Sequence, residues 1–260
     1  MFRIIFMFIT CFFRLPVWIP RLYHRSNPKY KDSFPREKRY GYIHSIISTV
    51  IKRGRVIVHL EGAEKLPKYN PEDENSTGYI LFPNHQGLFD TLSLIKNLDE
   101  PFSPLSKKEL ETTFMLKNVL ALMDVEYMDR DDVRQSLKVI QTVSKRVKAG
   151  DNFVIFPEGT RSREENNLLE FKAGAFKAAT MAHAPIIPVA LVDSFIPFDI
   201  RSIKKTTVYT YILDPLYYDD YKDLKTAEIA EIVKTRIEKK IAEHLAVIPS
   251  QADKFKKKSK

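Results

Sequence analysis

The sequence predicts an α/β fold: a mixed, largely parallel sheet flanked by helices, preceded by an N-terminal amphipathic and apolar helical unit that associates with membranes. Three observations carry this. Strand-like β-branched and aromatic runs alternate with helical apolar spacing from Arg55 onward. A length of 260 residues with 44% hydrophobic content and eight glycines gives one domain a sizeable core and argues against disorder or a fibrous repeat. An apolar N-terminal run is bracketed by cations.

Residues 4–13 are ten uncharged, mostly apolar residues between Arg3 and Arg14. A spanning helix needs about 20 such residues, and Arg14, Pro16 and Pro20 interrupt this one. The expectation is an interfacial or re-entrant helix, with Trp18, Tyr23 and nearby arginines in the headgroup layer. A cleaved signal peptide is the rival, but no small-x-small cleavage site accompanies the run. After a polar, proline-containing linker, Ile43, Ile46, Ile47, Val50 and Ile51 form a helical stripe with Lys38, Arg39, Lys52 and Arg53 at its ends. That stripe suits either core packing or a membrane-facing unit shared with the first element.

Strands are expected at residues 56–60, 79–83, 125–128, 152–156, 186–191 and 207–213, and helices at 91–97, 107–123, 133–148 and 171–182, with Gly150 as a stop. A last helix over 227–247 carries Ile229, Val233, Ile237, Ile241 and Leu245 at every fourth position, the spacing of a helix packed on the body. The expected organisation is a membrane-associating unit over residues 1–54, a catalytic domain over 55–248 and a basic tail over 249–260.

Charge follows the same division. Residues 1–60 hold twelve Lys or Arg against two Asp or Glu, and residues 254–260 hold five lysines and no acid, whereas residues 61–253 hold 25 basic and 31 acidic side chains. Basic ends on a mildly acidic body suit an anionic phospholipid surface better than a nucleic-acid groove, and no nucleic-acid motif accompanies them. A solvated, disordered end is the alternative for the tail. The single cysteine, Cys11, excludes an internal disulfide framework and a Cys-rich metal site, and suits a reducing compartment or the inner side of a membrane.

Two segments carry chemistry. In Phe156-Pro157-Glu158-Gly159-Thr160-Arg161-Ser162-Arg163, Gly159 permits a turn geometry closed to other residues. The Thr160 and Arg161 amides with the Arg161 fork can then surround an anion; an ordinary turn with a surface salt bridge is the alternative. In Asn84-His85-Gln86-Gly87-Leu88-Phe89-Asp90, five residues separate His85 from Asp90. On a regular helix these side chains point about 140° apart, so they meet only if the segment turns, which Gly87 favours. A carboxylate holding one imidazole nitrogen leaves the other to take a proton from a hydroxyl. The alternative is Asp90 as the N-cap of a helix beginning at Thr91, with His85 a loop histidine.

The order of these segments resembles that of the glycerolipid acyltransferases, most closely the 1-acyl-sn-glycerol-3-phosphate acyltransferases, over roughly residues 35–215. Residues 84–90 match the first family motif, Asp129-Arg130 the end of the second, residues 156–161 the third and residues 185–189 the fourth. Departures are Gly87, where the first motif often has Ser or Thr, and Asp124 and Tyr127, where the second commonly has Gly and Phe. The resemblance implies transfer of a fatty acyl group from a thioester of coenzyme A or acyl carrier protein to the free hydroxyl of lysophosphatidic acid, giving phosphatidic acid. It implies His85 as general base and Asp90 as the residue fixing its tautomer. Arg161 and Arg130 would bind phosphate, beside Thr160, in a pocket shaped by Glu158 and Gly159. A thioester is already activated, so no metal or other cofactor is expected. Ser162 lacks a nucleophile-elbow context, and no acyl-enzyme is expected. Other acceptors, such as glycerol 3-phosphate or another lysophospholipid, stay open, as does a non-catalytic membrane-binding module. Membrane association is expected at the cytoplasmic face.

Overall fold

A computed structural model describes residues 2–256. The first helices are α1 (Phe2–Cys11), α2 (Leu15–Ser26) and α3 (Arg36–Arg53), followed by β1 (Val56–Glu61), β2 (Ile80–Pro83) and α4 (Asp90–Asn97). Next come β3 (Phe102–Lys107), α5 (Leu116–Leu122), β4 (Glu126–Met128), α6 (Val133–Lys148), β5 (Asn152–Val154) and α7 (Lys177–Ala182). The chain continues through β6 (Ile186–Val192), α8 (Ile196–Asp199), β7 (Thr206–Ile212), α9 (Tyr218–Tyr221), α10 (Thr226–Val247) and α11 (Ala252–Lys256).

The seven strands form one sheet in the order β1-β7-β6-β2-β5-β3-β4, parallel at every pairing except β6 with β7. Parallel strands covered on both faces must be apolar on both faces, and β2 and β6 are buried along their whole length. On one face α6, α7 and α10 pack around Phe82, Phe153, Phe176 and Ile237; on the other, α2, α3, α4 and α5 enclose Tyr40, Leu81, Leu94 and Val154. The loops leaving β2 and β5 therefore emerge side by side at one sheet edge, the address at which such sheets bind ligands.

Three expectations are corrected. The helix expected at 107–123 is instead the end of β3, a 3-10 turn at Lys108–Thr112 and the short α5. Strand β3 (FSPLSK) escapes a propensity reading because it contains Pro104. It is tolerated where the strand changes neighbours: residues 102–104 pair with β5 and residues 105–107 with β4. The helix expected at 171–182 is a 3-10 turn at Ala173–Phe176 followed by α7. Finally, Arg14 and the prolines do not end the N-terminal helix. Helix α1, a 3-10 turn at Phe12–Arg14 and α2 run on as one apolar stretch, Phe2–Ser26, of 25 residues, long and apolar enough by length and composition to cross a membrane. Pro16 lies in the first turn of α2, where its missing N–H has no helical partner to lose.

This stretch is nevertheless fastened along the domain. Arg3 is fully buried and donates to the carbonyls of Pro197 (3.1 Å), Gly54 (2.6 Å) and Lys204 (2.8 Å). Farther along, Tyr42 donates to the Trp18 carbonyl at 3.0 Å and Asn118 to Ser26 Oγ at 2.7 Å. Met7, Cys11 and Leu22 face inward, while Ile5, Phe8, Ile9, Phe12 and Phe13 face out, Phe13 at 92% exposure. Arg39, expected among the cations at the helix ends, is buried instead and forms a forked pair with Asp124 at 2.7 and 2.9 Å. That pair gives Asp124, a departure from the second motif, a structural role.

At the other end, the chain does not leave the body at residue 249. Ser250 and Gln251 are hydrogen-bonded to it, and Ala252 of α11 is buried against Phe195 and Ile196. Of the lysine-rich end, residues 257–260 lie outside the described residues.

Candidate active site

The segment after β2 turns and brings His85 to Asp90; Gly87 does not use a left-handed φ for this turn, and its missing side chain instead leaves room for Phe195, whose Cα a Cβ there would meet at 3.2 Å. His85 Nδ1 lies 2.7 Å from Asp90 Oδ2. The same oxygen accepts the Gln86 N–H at 2.7 Å and the Gly87 N–H at 2.9 Å, so three donors converge on it. Asp90 does not cap the helix. It is the first residue of α4, whose cap position is Phe89, and its fully buried carboxylate points back into the preceding loop. A carboxylate accepting Nδ1–H fixes the imidazole tautomer and leaves the Nε2 lone pair free. His85 Nε2 has no protein partner among the described residues.

The ring plane is set independently. Phe156 stacks on the His85 imidazole with centroids 4.1 Å apart at 29°. Strand β5 ends at Val154 rather than at Phe156 as expected, and Phe156, beyond the strand, covers one face of the imidazole. Flanking residues clamp the loop to β6, with Asn84 donating to the Leu191 carbonyl (3.1 Å) and accepting its N–H (2.8 Å).

Glu158 joins the two motifs. Its carboxylate is 2% exposed, with Oε1 accepting the His85 N–H at 2.7 Å and Oε2 the Leu169 N–H at 3.1 Å. Burial pushes this carboxyl up to about 7, against the opposing pull of those two backbone donors. The Ser162 N–H completes the link by donating to the His85 carbonyl at 2.8 Å. Glu158 thus shapes the site by anchoring the backbone of His85. Gly159 has φ +73°, the left-handed region in which a side chain is strained.

A cavity of about 420 Å³ opens beside His85, and its wall includes Gly87, Thr160, Arg130, Arg161, Arg163 and Lys107. Arg130 donates a hydrogen bond to the Gly159 carbonyl, and burial lowers its guanidinium below the usual value. Arg161 makes no hydrogen bond or ion pair among the described residues, and its charge opposes the burial that raises the Asp199 carboxyl. Thr160 is exposed at the cavity rim. Next to this space lies a second cavity of about 290 Å³ between the sheet and helices α6 and α7, sharing Leu105, Met128, Arg130, Ile155, Phe156 and Gly159 with the first. Its remaining wall is mostly apolar, with Ile140, Val143 and Ala178 contributing. Sequence reasoning missed Phe156 as the ring's cover and Arg163 and Lys107 as lining. Arg163 stood in the motif as a second cation, but Lys107 fell in a segment read as helix.

A protein-family model described as Acyltransferase matches residues 57–192, just over half of the chain. The chain belongs to the acyltransferase family. Among curated acyltransferases, a probable 1-acyl-sn-glycerol-3-phosphate acyltransferase of Mycoplasma pneumoniae is 29% identical over 168 residues, 63% of this chain and 59% of that one. A 1-acyl-sn-glycerol-3-phosphate acyltransferase of Salmonella typhimurium is 30% identical over 171 residues, 65% of this chain and 69% of that one. The match thus spans less than two thirds of the Mycoplasma relative's length. Among solved acyltransferase structures, the 1-acyl-sn-glycerophosphate (LPA) acyltransferase PlsC of Thermotoga maritima superposes with a TM-score of 0.72 at 19% identity, covering 96% of this chain and 100% of that one. At that identity the likeness establishes a shared acyltransferase fold.

Proposed function

We infer that the protein transfers a fatty acyl group from an acyl thioester to the sn-2 hydroxyl of 1-acyl-sn-glycerol 3-phosphate, forming phosphatidic acid. The observation that carries this is the His85–Asp90 pair with its unpaired Nε2 opening on a cavity that also presents Arg161. The names of the curated relatives support the acceptor.

The step balances without an enzyme-bound acyl group. The acceptor oxygen attacks the thioester carbonyl carbon as its proton passes to His85 Nε2. The C–S bond then breaks, and the departing thiolate takes that proton back. The Asp90 carboxylate holds the tautomer and stabilises the imidazolium that forms in between. Arg161 places the acceptor's phosphate, and Arg130 supports the turn that presents it. The thioester supplies its own activation, so the reading calls on no metal or further cofactor, and the donor is a thioester of coenzyme A or acyl carrier protein. The mostly apolar 290 Å³ cavity beside the site suits a fatty chain.

The exposed face of α1 and α2 fits this assignment. Ile5, Phe8, Ile9, Phe12 and Phe13 form an outward apolar surface on a helix fastened along the domain, which suits insertion into one leaflet of a phospholipid membrane from its cytoplasmic side. The acceptor already resides in such a leaflet.

The deciding experiment incubates the purified full chain with lysophosphatidic acid and acyl-CoA, and separately with acyl carrier protein thioester, and identifies the lipid product by mass spectrometry. Phosphatidic acid from at least one donor is the expected result. Turnover of glycerol 3-phosphate alone, or no acyl transfer with either donor, would overturn the assignment.

A further inference from the structure

Asp193 follows β6 and is 1% exposed, with a left-handed backbone at φ +60°. A buried carboxylate needs compensating donors, and the donors hydrogen-bonded to it are all neutral. Oδ1 accepts from Asn166 Nδ2 at 2.9 Å and from Ser250 Oγ at 2.6 Å, and Oδ2 accepts the Gln251 N–H at 2.9 Å. Two of these three donors come from the C-terminal segment. Gln251 is itself fixed to β7, with Nε2 donating to the Thr207 carbonyl at 3.0 Å and Oε1 accepting the Thr207 N–H at 3.1 Å.

The network continues inward. Asn166 Oδ1 accepts the Asp193 N–H at 2.9 Å and Gln86 Nε2 at 2.8 Å, and Gln86 Oε1 accepts the Ser194 N–H at 2.7 Å. Gln86 adjoins His85, and its own N–H donates to Asp90 Oδ2. A second contact runs in parallel. Ala252 packs against Phe195, whose Cα lies where a side chain at position 87 would come within 3.2 Å. The C-terminal segment is therefore linked to the His85 loop through three side chains and through one packing contact at Gly87.

We propose that the C-terminal segment from Ser250 to Phe255 is a strap that sets the position of the His85–Asp90 pair, with Asp193 and Asn166 as positioning residues. The proposal rests on the acyl-transfer reading for its kinetic consequence, but not for its structural one. None of these residues touches the reacting atoms. They act by fixing the Gln86 peptide, whose N–H shares the Asp90 oxygen with the imidazole. A chemical group displaced by about 1 Å loses on the order of 10²-fold in rate, so slackening this network lowers turnover without removing a group that binds substrate.

The test compares wild type, Ser250→Ala, Ser250→Thr and a chain ending at Ile248, each full-length apart from that change and purified in the same detergent. Initial rates with lysophosphatidic acid and acyl-CoA give kcat and KM, and ¹⁵N-histidine NMR follows the His85 Nδ1–H held by Asp90, assigned by its loss in His85→Gln. We expect kcat to fall about tenfold in Ser250→Ala and about 10²-fold in the truncated chain, acceptor KM to change less than about twofold, and Ser250→Thr to restore both rate and resonance. The Nδ1–H signal should shift or broaden in Ser250→Ala. If the truncated chain does not fold, Ser250→Ala alone decides. A wild-type resonance retained in folded Ser250→Ala overturns the proposal, even if thermal stability falls. Absence of acyl transfer in wild type removes the functional reading, while the resonance still tests the strap.

Discussion

Replacing Glu158 with glutamine leaves shape and volume nearly unchanged but removes one of two acceptors. In the native site its oxygens take the N–H groups of His85 and Leu169; a glutamine accepts one and turns an NH₂ toward the other. A buried donor left unsatisfied costs about 1–3 kcal/mol, or about 2–4 °C of Tm per kcal/mol for a chain of this size. The pH dependence is the sharper readout. The folded carboxyl titrates near 7 against 4.5 for its ordinary value. Between those values the folded state holds a proton that the unfolded state has released, so this group's contribution to stability falls as pH rises from about 4.5 to about 7, then levels. At about 1.4 kcal/mol per unit the loss is about 3 kcal/mol, and Glu158→Gln does not share it. Urea unfolding of both proteins at pH 5 and pH 8 should therefore show Glu158→Gln less stable at pH 5, with the deficit shrinking by about 2–3 kcal/mol by pH 8. A deficit that is constant or wider at pH 8 would refute the burial-dominated titration, and unchanged stability at both would refute the anchoring of the His85 and Leu169 backbone by Glu158.

Two further outcomes follow. Arg161→Ala should raise the acceptor KM roughly 10- to 100-fold, the worth of a charge-assisted bond to phosphate, while the donor KM holds; equal effects on both substrates, measured by varying each in turn, would remove its phosphate role. The double replacement Ile9→Ser with Phe13→Ser alters residues 67% and 92% exposed, so the fold should hold by circular dichroism while partitioning onto anionic liposomes drops about tenfold or more; unchanged partitioning would exclude this face as the membrane contact.

Most of the sheet was legible because its strands are short apolar runs separated by helices with clear spacing; the observed α6 coincides with the expected span of 133–148. Strand β3 was not, because Pro104 and two serines mask a strand defined by the neighbours it joins. The meeting of His85 and Asp90 could be argued from Gly87, but not the stacking of Phe156, which depends on the sheet bringing β5 beside β2. Pro16 looked like a break only because its place in the first turn of α2 could not be known, whereas Pro20 lies inside that helix. Least legible was the end of the chain: Ser250 reads as tail, and its partner Asp193 lies 57 residues away. Arg39 likewise read only as a cation at a helix end, with core packing and membrane contact both open, until Asp124 supplied its pair.

The central claim is that His85 takes the proton from the acceptor hydroxyl, and His85→Ala tests it most directly. Its rate with lysophosphatidic acid and the better thioester donor should fall roughly 10²- to 10⁴-fold, with the unfolding transition and liposome binding retained. Acyl transfer at the wild-type rate by a folded His85→Ala protein would contradict the account.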